Sequence, residues 1–286
     1  MSKHTPSYEK SIAENYGRAD LEAAIMAAFT EAGIDPDRLT RDDIAALDEF
    51  HIQGREATRA LATLATLPEG AEVLDVGCGI GGPARTLAAE FDCRVTGVDL
   101  VEEYCHVAAL LTERVGLDDR VTFRQGNALD LPFDDDAFDV VWVQHVAMNV
   151  AEKATLFDEL TRVLRPGGRL VLHEVLAGTG GQPHFPVPWA TDPSISFLAT
   201  PEEVSRLLAE RGYDEVVWTE TTAESLAWFR GKLEAMASRS ADEPSPPGLG
   251  LLMGSDTPEK MQNVVRNLDE ERISVWQGVV TLATEG

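Results

Sequence analysis

The segment VLDVGCGIGGPAR (residues 73–85) crowds four glycines into six positions directly after a hydrophobic run. Glycine costs about 0.5–1 kcal/mol relative to alanine in regular structure, so the cluster implies a tight turn or a ligand lying against bare backbone. Gly77, Gly79 and Gly82 satisfy G-x-G-x-x-G, and Asp99 closes the next hydrophobic run, where an acid can accept from ribose hydroxyls. No Lys-Ser/Thr follows the glycines, which excludes a phosphate-cradling P-loop. Asp75 stands two residues before Gly77, where a dinucleotide-binding strand keeps an apolar residue, and this pulls the reading away from a nicotinamide cofactor. Further on, Gln144 and His145 end the run FDVVWVQH. An imidazole with an ordinary pKa near 6.5 can hydrogen-bond an acceptor at neutral pH or take its proton. His173 and Glu174 end a fifth run, with one of the two facing the same side as His145. Cys78, Cys93 and Cys105 show no metal-ligand spacing, so no metal site is expected.

These groups need elements to hold them. Residues 71–77, 93–100, 120–126, 138–144 and 168–175 are five short β-branched runs, and helical stretches at 83–91, 102–115 and 153–164 separate most of them. Two more strands, DEVVWTET and SVWQGVVTLAT, flank the helical stretches AESLAWFRGKLEAMAS and PEKMQNVVRNLDEER. Strands alternating with helices imply right-handed crossovers and a sheet covered on both faces. The expected fold is α/β: a doubly wound, mostly parallel, seven-stranded Rossmann-like sheet. The expected divisions are an N-terminal helical lid over residues 1–60, a cofactor-binding core over 61–222, a helical cap insertion over 223–272, and the last core strand over 273–286. Ligands of such sheets bind beyond the carboxyl ends of the strands.

Taken in order, Asp75 with its glycine turn, Asp99, GNALDLPF, FDVVWVQH and RVLRPGGRLVLHE resemble the class I S-adenosylmethionine-dependent methyltransferases over residues 61–175. The resemblance implies S-adenosylmethionine as cofactor. Asp75, Gly77, Cys78 and Gly79 would meet its methionine end, Asp99 both ribose hydroxyls, Leu100 the adenine face, Asn127 and Ala128 the adenine edge, and Gln144 the same ligand. The family usually has Asp where Asn127 stands, and an amide oxygen can still accept there. Outside the core, FHIQGREAT and SYEKSIAENYG resemble the phosphoethanolamine and sarcosine/dimethylglycine N-methyltransferases. In those enzymes a Tyr folds over the cofactor, which makes Tyr16 or Tyr8 a lid candidate, and a motif like 51–54 lines the methionine end.

The same amine methylators share an Asp followed four residues later by a His, after the fourth strand. His145 and Asn149 occupy those places here, a neutral hydrogen-bonding wall in place of a carboxylate. The expected reaction is in-line methyl transfer to a small metabolite, neutral or anionic before cationic, with His145 and Tyr16 as the catalytic pair. His51, Asn149, Glu174 and Trp189 are the expected substrate contacts, Trp189 from the Pro-rich loop HFPVPWATDPSISFL. The alternatives are a glycine/sarcosine/dimethylglycine-type N-methyltransferase, an NAD-dependent dehydrogenase, and a non-catalytic cofactor-binding protein.

Composition sets the outer bounds. The 286 residues hold 24 Lys and Arg against 49 Asp and Glu, a formal net charge of −25. Such a chain repels nucleic acid and anionic membranes, so neither is an expected partner. It contains no run of about 18 apolar residues, and its first ten residues have no apolar signal core, so a cytoplasmic protein is expected. The acidity suits a salty cytoplasm. A homodimer is the assembly left open.

Overall fold

The computed structural model describes residues 10–12, 15–17, 20–238 and 247–284. At its centre lies a seven-stranded sheet in the order β3-β2-β1-β4-β5-β7-β6. The strands are β1 (Glu72–Val76), β2 (Arg94–Asp99), β3 (Val121–Gln125), β4 (Phe138–Gln144), β5 (Leu164–Ala177), β6 (Tyr213–Glu220) and β7 (Ile273–Leu282). β1 to β5 pair in parallel, and β7 runs antiparallel between β5 and β6. The chain winds outward from β1 to β3 and then returns to place β4 on the other side of β1. The order of strands therefore reverses at β1/β4, which opens a crevice beyond their carboxyl ends.

Residues on both faces of this sheet are covered, as continuous apolar runs require. Val141, Val143, Leu170 and Leu172 pack on one side, while Val73, Val140, Trp142 and Val171 pack on the other. Helices α1 (Leu21–Glu31), α2 (Arg41–Asp48) and α3 (Arg55–Ala65) precede β1. Thr40 caps α2 through a reciprocal capping box with Asp43. Leu61, Ala62 and Ala65 of α3 join the core of the sheet, so the expected boundary after residue 60 falls inside a helix packed on that core. α4 (Gly82–Phe91), α5 (Glu102–Arg114) and α6 (Lys153–Arg162) are the crossover helices, and α4 starts with Pro in its first turn. Thr200 and Glu203 form a second capping box that opens α7 (Pro201–Ala209). Between β6 and β7 come α8 (Thr222–Ser238), the one-turn α9 (Gly250–Met253) and α10 (Thr257–Asp269). Residues 239–246 of the expected cap insertion lie outside the described residues, as does Tyr8. Among the described residues, no helix is long and apolar enough to cross a membrane.

Candidate active site

The crevice at β1/β4 deepens into a cleft enclosing about 1560 Å³, its open mouth included. Its floor is the glycine turn between β1 and α4, whose four glycines do different work. A Cβ on Gly77 would strike Val146, on Gly81 Phe123, and on Gly82 the backbone oxygen of Asp48 at 2.1 Å. Only at Gly79, whose φ is +52°, would a side chain meet nothing within 4 Å. Three of the four glycines thus admit protein, and Gly79 is the one that leaves bare backbone facing open space. Gly82 admits the segment before β1, which seats directly on the turn.

Asp99, at the end of β2, accepts from Gly79 N–H and Val101 N–H, each at 2.9 Å, and burial raises its pKa. Asp75 is buried within the cleft wall, and its Oδ2 has no hydrogen-bond partner among the described residues. Burial first, and then the Asp99 charge, push its pKa up to about 7. Leu100, Asn127 and Ala128 line the same end of the cleft. The Asn127 Oδ1 accepts from Leu129 N–H at 3.0 Å. Cys78 lines the cleft too, but its thiol is buried and its pKa raised well above the usual range, first by burial and then by the neighbouring Cys105.

Gln144 is committed to the protein. Its Oε1 accepts from Trp142 Nε1 at 2.7 Å and from the Thr58 hydroxyl at 3.3 Å, so what it offers the cleft is a braced wall. His145 follows in the left-handed region (φ 56°), which His tolerates better than a branched residue would. That turn directs the chain into a 3-10 turn at Ala147–Asn149. The ring of His145 lies edge to face on His173, with centroids 4.7 Å apart, and 6.3 Å from His51. Burial first, and then His51, lower its pKa, so the near-neutral titration expected from the sequence does not apply. Its Nε2 accepts a long bond from Ile52 N–H, at 3.4 Å. His51 lines the cleft with its Nε2 on the Gly54 carbonyl at 2.9 Å, and burial lowers its pKa to about 4.

Tyr16 and Asn149 meet. The Tyr16 hydroxyl donates to Asn149 Oδ1 at 2.9 Å, while Asn149 Nδ2 donates to the carbonyls of Trp189 and Ile195, both at 2.8 Å. Asn149 was expected to offer its amide to a substrate, but both N–H groups are spent on two buried carbonyls of the loop after β5. Trp189 lines the cleft, 2% exposed, with its indole N–H on Ser196 Oγ. Glu174 requires a correction. It does not line the cleft but turns beneath the loop after β4, accepting from Val146 N–H at 3.1 Å and Ala147 N–H at 3.2–3.3 Å. Two consecutive backbone donors at the end of a strand need an acceptor, and the adjacent strand β5 supplies one there.

Several lining residues carried no chemical signal in the sequence. Phe50, Met148, Trp228, Phe229, Met261 and Val264 wall the outer cleft. On a one-dimensional reading they are ordinary apolar positions of helices and turns, and only the three-dimensional closure shows that they face a cavity. Asp48 also lines the cleft. Its Oδ2 pairs with the buried Arg85 at 2.8 Å, and its Oδ1 has no partner among the described residues. Among the described residues, no cluster of His, Cys, Asp and Glu is arranged to hold a metal ion.

Residues 74–172, which carry the turn and its two acids, match the family model described as a methyltransferase domain. Over this stretch the chain is similar to the class I methyltransferases. Methyltransferase GfsG of Streptomyces halstedii is 31% identical over 171 residues, 59% of each chain. The glycine/sarcosine/dimethylglycine N-methyltransferase of Actinopolyspora halophila is 28% identical over 228 residues, 79% of this chain and 38% of that one. The chain thus spans less than two thirds of the length of these curated relatives. Among solved structures, geranyl diphosphate C-methyltransferase from Streptomyces coelicolor superposes with a TM-score of 0.70 at 20% identity, over 98% of this chain and 99% of that one. That likeness extends the methyltransferase fold to the helices before β1 and between β6 and β7.

Proposed function

We propose that this chain uses S-adenosylmethionine to methylate a small, uncharged, largely apolar molecule. The inner cleft fits that cofactor: buried carboxylate oxygens without partners await a cationic group, Asp99 stands where ribose hydroxyls can donate, and Gly79 leaves room for a ligand against the backbone. When bound, the cofactor supplies an electrophilic methyl group on a sulfonium. The protein's part is then to hold, align and dehydrate. Asp99 holds the ribose, Leu100 covers the adenine, and Asn127 reads its edge. Phe50, Met148, Trp189, Trp228 and Phe229 keep water from the outer cleft, where the acceptor sits.

The observation that carries the acceptor class is the charge of the lining. Among the described residues, every charged side chain in it is an aspartate of the inner end (Asp48, Asp75 or Asp99), and no Lys or Arg lines it at all. An anionic acceptor would find no cation there, and desolvating an unpaired charge is costly. Arg266 and Arg272, on and just after α10, both pair with Glu270. His145 contacts the acceptor in this reading. With Nε2 accepting from Ile52, the neutral ring carries its proton on Nδ1 and acts as a hydrogen-bond donor.

The relative from Actinopolyspora supports a second reading, methylation of the glycine series, because its similarity extends over most of this chain. A test of both is to supply labelled S-adenosylmethionine with apolar phenols, alcohols and isoprenoids on one side and glycine, sarcosine and dimethylglycine on the other. Labelled product is expected from the apolar group, with His145→Ala slowing it at least about tenfold, below the roughly 10²–10³ lost when a preorganised transition-state donor is removed. Efficient turnover of the glycine series, untouched by His145→Ala, would establish the second reading instead.

A further inference from the structure

The anionic end of the cleft holds more carboxylates than the glycine turn requires. Asp75 arrives from β1 and Asp48 from the end of α2, each almost fully buried, at 2% and 4% exposure. Each keeps one oxygen without a hydrogen-bond partner among the described residues, Oδ2 of Asp75 and Oδ1 of Asp48. Both lie within electrostatic reach of one cation, the buried Arg85, and only Asp48 is bonded to it. Arg85 is fixed by its other contacts, to Ile80 O at 2.6 Å and Thr112 Oγ1 at 2.9 Å, so it cannot turn to serve both acids. With Asp99 adding a third carboxylate beside Asp75, the inner cleft has an excess of buried negative charge. A buried carboxylate oxygen without a donor is expensive, and it is retained where a ligand completes it.

We propose that Asp48 is a second anionic seat for the cofactor's α-ammonium group, acting with Asp75, so that the cationic end of the ligand fastens the segment before β1 to the end of β1. This rests on the S-adenosylmethionine reading above. The backbone supports it independently: Gly82 is glycine because the Asp48 carbonyl occupies the place of its side chain, with the Asp48 carboxyl carbon 3.2 Å from that same point. Residue 48 is therefore held against the turn by packing that involves no ligand. An ammonium group has three donors, enough to satisfy both orphaned oxygens and a backbone carbonyl at once. The charged groups that face Asp48 are Arg85 from α4, Arg55 from α3, Arg41 from its own helix, and the adjacent Glu49. Arg55 and Arg41 have carboxylates of their own, Asp42 and Glu90. Neither replaces the missing donor on Oδ1.

The test compares two ligands that share the adenosine. S-adenosylhomocysteine carries the ammonium, and 5′-methylthioadenosine lacks the amino-acid end. In calorimetry, Asp48→Asn is expected to weaken S-adenosylhomocysteine by about tenfold to a hundredfold, the value of one charge-assisted hydrogen bond, while 5′-methylthioadenosine changes less than about threefold. Equal weakening of both ligands would mean that Asp48 acts only through Arg85 and the turn, and unchanged affinity for both would mean that it plays no part. Either overturns the proposal. If Asp48→Asn does not fold, the wild-type protein decides by the carbon-13 signal of the Asp48 carboxyl. Saturation with S-adenosylhomocysteine should lower its titration midpoint and 5′-methylthioadenosine should not, and a response identical for the two overturns the proposal. A wild-type protein that binds neither ligand defeats the cofactor reading itself, and this inference with it.

Discussion

Single residues in and behind the walls of this cleft have traded ordinary protonation for burial, and the trade has a sign that can be measured. Burial raises Asp75 to about 7, Glu174 to about 7 and Glu49 to about 8, and it lowers His51 to about 4 with His145 and His173 shifted the same way. For the histidines the unfolded chain holds more protons than the folded one between about pH 4 and 6.5, so stability rises with pH there. For the carboxylates the folded chain holds more protons from about pH 4 up to 7–8, so stability falls as pH climbs through that range. Above 6.5 the histidine contribution is flat and the carboxylates decide. Below 6.5 the two contributions oppose each other, so the melting temperature of the ligand-free protein should change little up to about pH 6.5 and decline from there to pH 8. S-adenosylhomocysteine should flatten the decline, because its ammonium stabilises the ionised acids. A curve that rises to pH 8 would show that these acids are ionised without penalty. Asp99 makes a second prediction at this scale. Asp99→Ala should weaken S-adenosylhomocysteine about tenfold to a hundredfold by removing the charged acceptor of the ribose hydroxyls, with the loss read by calorimetry on protein whose circular dichroism is unchanged.

At the scale of elements, sheet and crossover helices were legible because their periodicities are local. The runs FDVVWVQ and RVTGVD became β4 and β2 nearly to the residue, and Thr40 and Thr200 begin their helices through the capping boxes that their Asp and Glu partners imply. The inner cleft was legible for the same reason, since Asp75, Gly79 and Asp99 lie at the ends of β1 and β2. The sequence could not show what each glycine admits, because Val146, Phe123 and Asp48 reach the turn from distant parts of the chain. Nor could it show that Glu174 serves two backbone N–H groups, or that Asn149 serves two carbonyls. Asn149 joins three elements: the segment of Tyr16, the turn after β4, and the loop after β5. Asn149→Ala should leave two buried carbonyls unsatisfied, at about 1–3 kcal/mol each, and lower the melting temperature by several degrees. Asn149→Asp should be similarly harmful, because a carboxylate cannot donate to either carbonyl. Hydrogen exchange should quicken in residues 187–198 of both variants, and in Tyr16→Phe to a smaller degree, since that change removes one bond and spares the two to the loop. Equal protection in all three proteins would mean that the loop is held by Trp189 packing alone.

Over the whole molecule, the acids outnumber the bases by 49 to 24, so even complete pairing of every Lys and Arg would leave half of the carboxylates without a partner. The arginines are indeed largely engaged: Arg59 and Arg41 share Glu90, Arg162 bridges Asp135 and Glu159, and Arg120 holds Asp92. Such exposed pairs contribute about 0–1 kcal/mol each, and salt weakens them. The unpaired excess acts in the opposite direction. Its self-repulsion disfavours the compact state, and screening shrinks its range from about 10 Å at 0.1 M salt to about 3 Å at 1 M. Because the excess is as large as the paired set and acts between all of its members, relief of repulsion should outweigh the loss of surface pairs. The melting temperature should therefore rise between about 0.1 M and 1 M potassium chloride. Chloride salts serve here because sulfate would also strengthen apolar burial. Replacing exposed acids that have no ion-pair partner among the described residues by their amides, Asp118→Asn with Asp119→Asn for example, should raise the melting temperature at low salt and leave it nearly unchanged at high salt. A melting temperature that falls as potassium chloride is added would show instead that the arginine pairs dominate, and that the acidic surface carries no electrostatic penalty for salt to relieve.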